Sequence, residues 1–327
     1  MAQHNRKSAV VVIGFNRPDL LSIALKSIPQ DGRSIYISID GARSLDEEFA
    51  VNQSTVIAEN YQSLASKNSV QVRKSMVNQG CKYGVFNAIE WAFQREDSLI
   101  ILEDDINPQT SFYDFCDQGL SIFADNQSIW QLNGWTPRNE LENSLISFYQ
   151  TRHAHIWGWA TWKSRWQKFD LELDNWRSQD FSEFPIFKGV DLHKNFNSYW
   201  NRTLKACAEG EIDTWDSQWL YSMWLNGSYA ISPSSRLCGN IGFDSRATHT
   251  PTSGGDLFSK MPESNIFFLT KDLVNFNCTL EFDAIHDLEC YKLDSLLDMA
   301  SSPNSLQVLK HNLKKVIRRL RELAESS

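Results

Sequence analysis

The stretch Ser98-Leu99-Ile100-Ile101-Leu102-Glu103-Asp104-Asp105-Ile106 decides how the rest of the chain is read. An apolar run ending in consecutive carboxylates predicts a strand buried on both faces, with its last residues emerging at the carboxyl edge of a parallel sheet. That edge is where open α/β sheets bind ligands. Adjacent carboxylates repel one another, so three in a row call for a cation or a set of donors. Two readings follow. One is a hard divalent ion, Mg2+ or Mn2+, held by one or two of the carboxylates and completed by phosphate oxygens of a substrate. The other is a solvated acidic turn that simply ends a strand.

The residues upstream supply the rest of such a sheet. Ala9 to Phe15 is a continuous, largely β-branched run and predicts a central parallel strand. It is followed by Asn16-Arg17-Pro18-Asp19, where the proline suits a first helical turn, and by a helix striped with Leu20, Leu21, Ile23, Ala24, Leu25 and Ile28. Ser34 to Ile39 predicts a second strand, closed by Asp40-Gly41; Asp40 can serve as a nucleoside ligand or as a turn residue. A helix is expected from about Asp46 to Ala65, and a third strand over Val70 to Lys74. Asn78-Gln79-Gly80-Cys81-Lys82-Tyr83-Gly84 then offers glycines for close backbone approach and a lysine for phosphate, before a helix over Tyr83 to Arg95. Four strands alternating with helices form an α/β nucleotide-binding half. Neither a G-x-G-x-x-G nor a Walker lysine motif is present.

Composition bounds the rest. The 327 residues, 42% hydrophobic and 22% charged, are those of an ordinary globular chain, and the net charge of −8 argues against a general nucleic-acid binder. No apolar stretch approaches membrane-spanning length and no cleaved leader is evident, so a cytoplasmic location is expected. The six cysteines are scattered without C-x-x-C pairs, which speaks against structural zinc or a disulfide scaffold. Twelve tryptophans suit either sugar stacking or a large core.

Beyond the acidic turn, a helix is expected over Gln109 to Ala124 and a strand over Ser128 to Trp135. His153 to Trp162 is dense in rings and small residues: an acceptor cleft lined by Trp157 and Trp159, or an aromatic core plug. His153 and His155 lack partners as metal ligands. Trp166 to Trp200 is expected to be a helical insertion. In the second acidic cluster, Glu209 to Trp219, Asp216 heads a helix and reads either as its N-cap or as a general base in a partly dehydrated pocket between Trp215 and Trp219. Asn240 to Thr250 has the Gly-, Ser- and Thr-rich composition of a lid, with Arg246 and His249 expected to reach a diphosphate. Near the end, Leu306, Leu309, Leu313, Ile317, Leu320 and Leu323 share one helical face, with Lys310, Lys314, Lys315, Arg318, Arg319 and Arg321 on the rest. That pattern suits an interfacial helix on anionic lipid, a helix docked on the body, or a dimer contact.

In order, these motifs resemble those of GT-A fold glycosyltransferases, of the bacterial family 2 type and similar to the N-acetylglucosaminyltransferase I group. The resemblance covers about residues 8 to 250. It implies an α/β, Rossmann-like nucleotide-binding sheet with helices on both faces, followed by a C-terminal helical extension. Residues 1–135 would form the nucleotide-sugar half, 136–255 the acceptor half with base and lid, and 256–327 the extension. It also implies an inverting, metal-dependent transfer from a nucleotide-sugar donor, UDP-linked, to a glycan or lipid-linked acceptor in surface polysaccharide synthesis. Under it Arg17, Asp40, Asn78, Gly80, Lys82, Glu103, Asp104, Arg246 and His249 would bind donor. Asp105 would ligate Mn2+ or Mg2+, Trp157 and Trp159 would meet acceptor, and Asp216 would be the base. A histidine that the eukaryotic group carries before the acidic strand has no counterpart, Ala88 and its neighbours standing there. Two other readings are open: a nucleotidyltransferase on sugar phosphates, which normally needs a glycine-rich first loop, and a non-catalytic sugar-binding module.

Overall fold

The β-branched runs form the strands their composition demands. A computed structural model describes residues 7–136, 148–174, 176–190, 192 and 196–243. The first part of the chain runs β1 (Ala9–Gly14), α1 (Pro18–Ser27), β2 (Ser34–Ile39), α2 (Leu45–Leu64), β3 (Ser69–Lys74), α3 (Gly80–Phe93) and β4 (Ser98–Glu103). There follow β5 (Ile106–Pro108), α4 (Thr110–Ile122), β6 (Ile129–Asn133), β7 (Phe148–Thr151), β8 (Trp159–Trp162) and the one-turn α5 (Lys163–Trp166). Then come α6 (Phe196–Ala208), α7 (Asp216–Leu225), β9 (Tyr229–Pro233) and β10 (Cys238–Asn240).

The main sheet has eight strands in the order β3-β2-β1-β4-β8-β6-β9-β7. β1 pairs in parallel with both β2 and β4, and β2 with β3, so these four strands finish on one edge. β8 runs antiparallel to both neighbours, with Ile101 opposite Trp159 and Asn133 also opposite Trp159. A two-stranded sheet of β5 and β10 lies immediately beyond β4. The sheet is continuous across residue 135.

Alternation along the central strands divides the core. Val10, Val12, Ile35, Ile37, Ile100 and Leu102 pack with Leu21 and Leu25 of α1 and with α4. Val11, Tyr36, Leu99 and Ile101 pack on the other face with Val85, Ile89 and Phe93 of α3 and with Trp130, Trp159, Trp166, Trp215 and Trp219. Burial on both faces accounts for the continuous apolar runs of β1 and β4. The chain is therefore a mixed α/β protein with a Rossmann-like arrangement. Phe181, Phe196, Trp200 and Trp224 form a third cluster around α6 and α7.

Two elements depart from expectation. α3 begins at Gly80, so the glycine loop is already its first turn. Among the described residues, the stretch expected as a helical insertion holds two short 3-10 turns, Phe181–Glu183 and Pro185–Phe187, before α6 begins at Phe196. Most of the tryptophans are core: Trp130, Trp135, Trp159, Trp166, Trp215, Trp219 and Trp224 are fully buried.

Candidate functional site

The acidic turn at the end of β4 splits by face. Asp104 turns toward α1. Its Oδ1 accepts from Arg17 Nη2 at 2.5 Å and its Oδ2 from the Phe15 amide at 3.1 Å. Arg17 Nη1 lies 3.0 Å from Asp105 Oδ2. One guanidinium thus bridges two carboxylates, a fork geometry that suits arginine and not lysine. Burial works against the charge on Arg17, but Asp104, Asp105 and Glu103 more than offset it and its pKa is raised. Burial pushes Asp104 up to about 6 against the pull of Arg17, leaving it ionised at neutral pH.

Glu103 belongs to the α3 side with Leu99 and Ile101. Burial first, then the neighbouring Asp105 and Asp104, push its carboxyl up to about 8, with Asp216 adding to the shift. The Cys81 thiol feels Glu103, Asp216 and Asp213 together. The two acidic clusters, 110 residues apart in sequence, therefore share one neighbourhood.

Asp216 is half-buried and is the first residue of α7. Its Oδ1 accepts from Thr214 Oγ1 at 2.5 Å and from the Ser217 amide at 2.7 Å. Among the described residues its Oδ2 has no hydrogen-bond partner. The N-cap position itself is Trp215, whose ring is buried and stacked on Trp159, with centroids 5.4 Å apart and planes 22° apart. The backbone that carries the carboxylate is thereby fixed by the core.

Several expected donor contacts are occupied by the protein itself. Asp40 accepts from the Gly41 amide at 2.9 Å, from the Gln79 amide at 3.0 Å and from Asn78 Nδ2 at 2.9 Å. Asn78 Nδ2 also donates to the Gly41 carbonyl at 2.8 Å. A side chain at Gly41 would strike the Val77 carbonyl carbon at 2.4 Å, so this junction closes only on glycine. Burial raises the Asp40 pKa against those amide bonds. Asp40 and Asn78 thus tie the loop before α3 to the sheet.

Gly80 and Lys82, expected to meet phosphate, are likewise engaged within the protein. Asp213 accepts from the Cys81 and Lys82 amides at 2.8 and 3.0 Å, filling the amino end of α3. Gly80 has φ of +74°, and an added side chain there would meet Asp213 Oδ2 at 2.5 Å. Lys82 Nζ pairs with Glu172 at 2.7 Å, and the Tyr83 hydroxyl donates to the same carboxylate. Sequence reasoning missed Asp213 and Glu172. The available signal was a glutamine at the N-cap, Gln79, which leaves amides of the first turn to be met from elsewhere.

Trp159, expected against acceptor, is instead a core ring. Trp157 is half-buried, edge-on to Trp135 at 4.8 Å and to Phe243 at 5.6 Å, and remains at the edge. Its segment is held by buried amides. Asn133 Nδ2 donates to the His153 carbonyl, the His155 amide to Asn133 Oδ1, and Gln131 Nε2 to the His155 carbonyl. Burial pulls His153 and His155 down to about 3, so both are neutral. Gly242 lies over the Arg17–Asp105 pair: an added side chain would be 2.3 Å from Asp105 Oδ2 and 2.7 Å from Arg17 Nη1. Arg246, His249 and the remainder of the expected lid lie outside the described residues, as does the basic C-terminal stretch.

The described residues include no group of three or more His, Cys, Asp or Glu side chains able to hold a metal ion. Asp104 is taken by Arg17 and Phe15, whereas Asp105 is held by Arg17 through Oδ2, so Asp105 is the carboxylate that would hold an ion. One carboxylate fits Mg2+ or Mn2+ arriving with phosphate oxygens, not a resident caged ion. Among the described residues no helix is long and apolar enough to cross a membrane, and Cys81, Cys116, Cys207 and Cys238 are free thiols.

The fold and site define a Rossmann-like α/β chain with carboxylates gathered at the carboxyl edge of its sheet. No family model matches it, and no curated protein matches its sequence. Among solved structures, apo UDP-glucose pyrophosphorylase is similar at 8% identity and a TM-score of 0.35, over 69% of this chain and 90% of that one. UDP-glucose pyrophosphorylase complexed with UDP-glucose gives 9% identity and 0.33, over 70% and 90%. The inositol-1-phosphate CTP transferase from T. maritima gives 10% and 0.31, over 52% and 76%. These are nucleotidyltransferases, the class of the second reading above, and not glycosyltransferases.

Proposed function

We propose that the chain is an inverting glycosyltransferase of GT-A type that uses a nucleotide-sugar donor. The observation that carries this reading is Asp216, anchored through Oδ1 with Oδ2 left open, in the same neighbourhood as Glu103 and the Arg17–Asp105 pair. Asp105 would hold Mn2+ or Mg2+ together with the donor's phosphate oxygens, where the ion supplies charge stabilisation for the departing diphosphate. Arg17 keeps Asp105 in place and adds fixed positive charge beside that position. Asp216 Oδ2 takes the proton of an acceptor hydroxyl as its oxygen bonds to the anomeric carbon and the carbon–oxygen bond to the nucleotide breaks. A single displacement inverts the configuration. Trp157 forms the acceptor-side wall.

Nucleotidyl transfer to a sugar phosphate is the second reading, and it is the class to which the similar solved structures belong. The β1–α1 turn weighs against it. Gly14 is closed against Ile39 and Leu21, and the Phe15 amide is already given to Asp104, so no glycine-lined phosphate cradle remains. Product analysis separates the two: glycosyl transfer releases a nucleoside diphosphate, nucleotidyl transfer pyrophosphate. Asp216→Asn is expected to spare donor binding and lower turnover by ~10²–10⁴-fold, the scale of general-base loss. Unchanged turnover in that variant would remove Asp216 from the chemistry.

A further inference from the structure

Asp105 already has a cation beside it. Arg17 Nη1 lies 3.0 Å from its Oδ2, and the same guanidinium gives Nη2 to Asp104 Oδ1 at 2.5 Å. The two ends of this bridge are held differently. Asp104 is 3% exposed, and its second oxygen is fixed by the Phe15 amide, so Nη2 sits in a dehydrated and fully built seat. Asp105 is 14% exposed, and its contact with Nη1 is the longer of the two.

The backbone after β10 closes over the pair. The Ile241 amide donates to the Asp105 carbonyl at 2.9 Å, and the Gly242 amide donates to Asn240 Oδ1 at 2.8 Å. Gly242 is thereby pressed onto Asp105 Oδ2 and Arg17 Nη1, with no room there for a side chain. A divalent ion added to Asp105 alone would stand against the guanidinium, cation against cation, in a place where water screens little. A diphosphate removes that conflict, because its oxygens accept from a guanidinium fork and ligate a hard ion at once.

We propose that Arg17 is the resident counter-cation of Asp105 and is exchanged for the divalent ion when a diphosphate arrives. Nη2 stays on Asp104, Nη1 passes from Asp105 to a phosphate oxygen, and Asp105 is released to the ion. The ion and the diphosphate then bind as a pair, and the arginine is the reason that the ion does not bind first. This exchange rests on the reading above at one point, that Asp105 is the ion's carboxylate.

Mn2+ binding to the full chain tests it without turnover, followed by loss of the free-ion electron paramagnetic resonance signal and corrected for Mn2+ complexed by free diphosphate. UDP or inorganic pyrophosphate should raise the Mn2+ affinity of the unaltered chain at least ~10-fold. Arg17→Gln should bind Mn2+ alone at least ~10-fold more tightly than the unaltered chain and lose most of the diphosphate effect. Arg17→Lys, whose ammonium reaches one carboxylate at a time, should fall between them, and it decides the matter if circular dichroism shows the Gln variant unfolded. Adding Asp105→Asn to either variant should erase the gain. Mn2+ binding to the unaltered chain as tight as to a folded Arg17 variant overturns the proposal, as does a gain that survives Asp105→Asn or the lack of any rise with both diphosphates. Glycosyl transfer is judged separately by released nucleoside diphosphate. Its absence with the Arg17 effects intact removes the proposed reaction and leaves the exchange standing; equal Mn2+ affinities with transfer intact do the reverse.

Discussion

Arg17 illustrates how much of the site rests on one side chain. Its guanidinium is 16% exposed and faces Asp104 at 3% and Asp105 at 14%, so removing it leaves two carboxylates in a poorly solvated place without a counter-charge. Arg17→Ala should cost on the order of 3–5 kcal/mol, the scale for breaking a buried pair, and Arg17→Lys should recover part of that, since an ammonium reaches one carboxylate at a time. Urea denaturation of the three proteins measures both. Glu103 carries the opposite sign. Its carboxyl is held protonated up to about 8 in the folded chain, whereas in the unfolded chain it ionises near about 4.3. Between those values the folded form binds more protons than the unfolded one, so this group's contribution is full at low pH and is lost as pH rises toward 8. Glu103→Gln should flatten that decline, read as urea midpoints from pH 5 to pH 9 in the presence of a chelator.

Among elements, α3 shows where a local reading stops. Its N-cap Gln79 gives no side-chain bond and Asn78 meets only the Gly80 amide, so the Cys81 and Lys82 amides are satisfied by Asp213, more than 130 residues further on. Asp213→Ala should destabilise the chain by about 0.5–2 kcal/mol, as for other lost helix caps, and should speed amide exchange at Cys81 and Lys82 ahead of the rest of α3. The four parallel strands were legible because burial on both faces writes itself as an unbroken apolar run, as in Val10-Val11-Val12 and Leu99-Ile100-Ile101. Asp216 was legible as a helix-leading carboxylate, and Arg17 as a polar residue at a strand's end. The partners of Asp40, Gly80 and Lys82 were not, because each is chosen by a contact between distant segments: Gln79 for Asp40, Asp213 for Gly80, Glu172 for Lys82. Trp159 was ambiguous for a different reason. An indole reads the same in sequence whether it stacks on a sugar or on Trp215.

At the scale of the whole molecule, the two faces of the sheet hold different halves of the candidate site. The α1 face supplies Arg17 and Asp104, and the α3 face supplies Glu103 and, through the tryptophan cluster, Asp216. A ligand spanning both should stabilise the fold as a unit. UDP-linked sugar with Mn2+ is expected to raise the melting temperature, by the equivalent of about 2.7 kcal/mol at a hundredfold excess over the dissociation constant. Either component alone should do much less, since Asp105 offers an ion a single carboxylate. Thermal shift with GDP-, CMP- and UDP-linked donors, with and without Mn2+, measures it; no response to any donor would favour the non-catalytic sugar-binding reading.

The reversed polarity of β8 sets how this architecture can change. Because β8 runs against β4, it is the beginning of β8, at Trp159, that lies beside Ile101 near the acidic turn. Residues 152–158 therefore arrive at the carboxylates from outside the parallel repeat, suspended from Gln131 and Asn133 of β6. Under the proposed function, a graft of this short segment would exchange the acceptor-side wall and leave Arg17, Asp104 and Asp105 untouched. Under that reading, donor preference and acceptor preference would be set by separate segments of the chain.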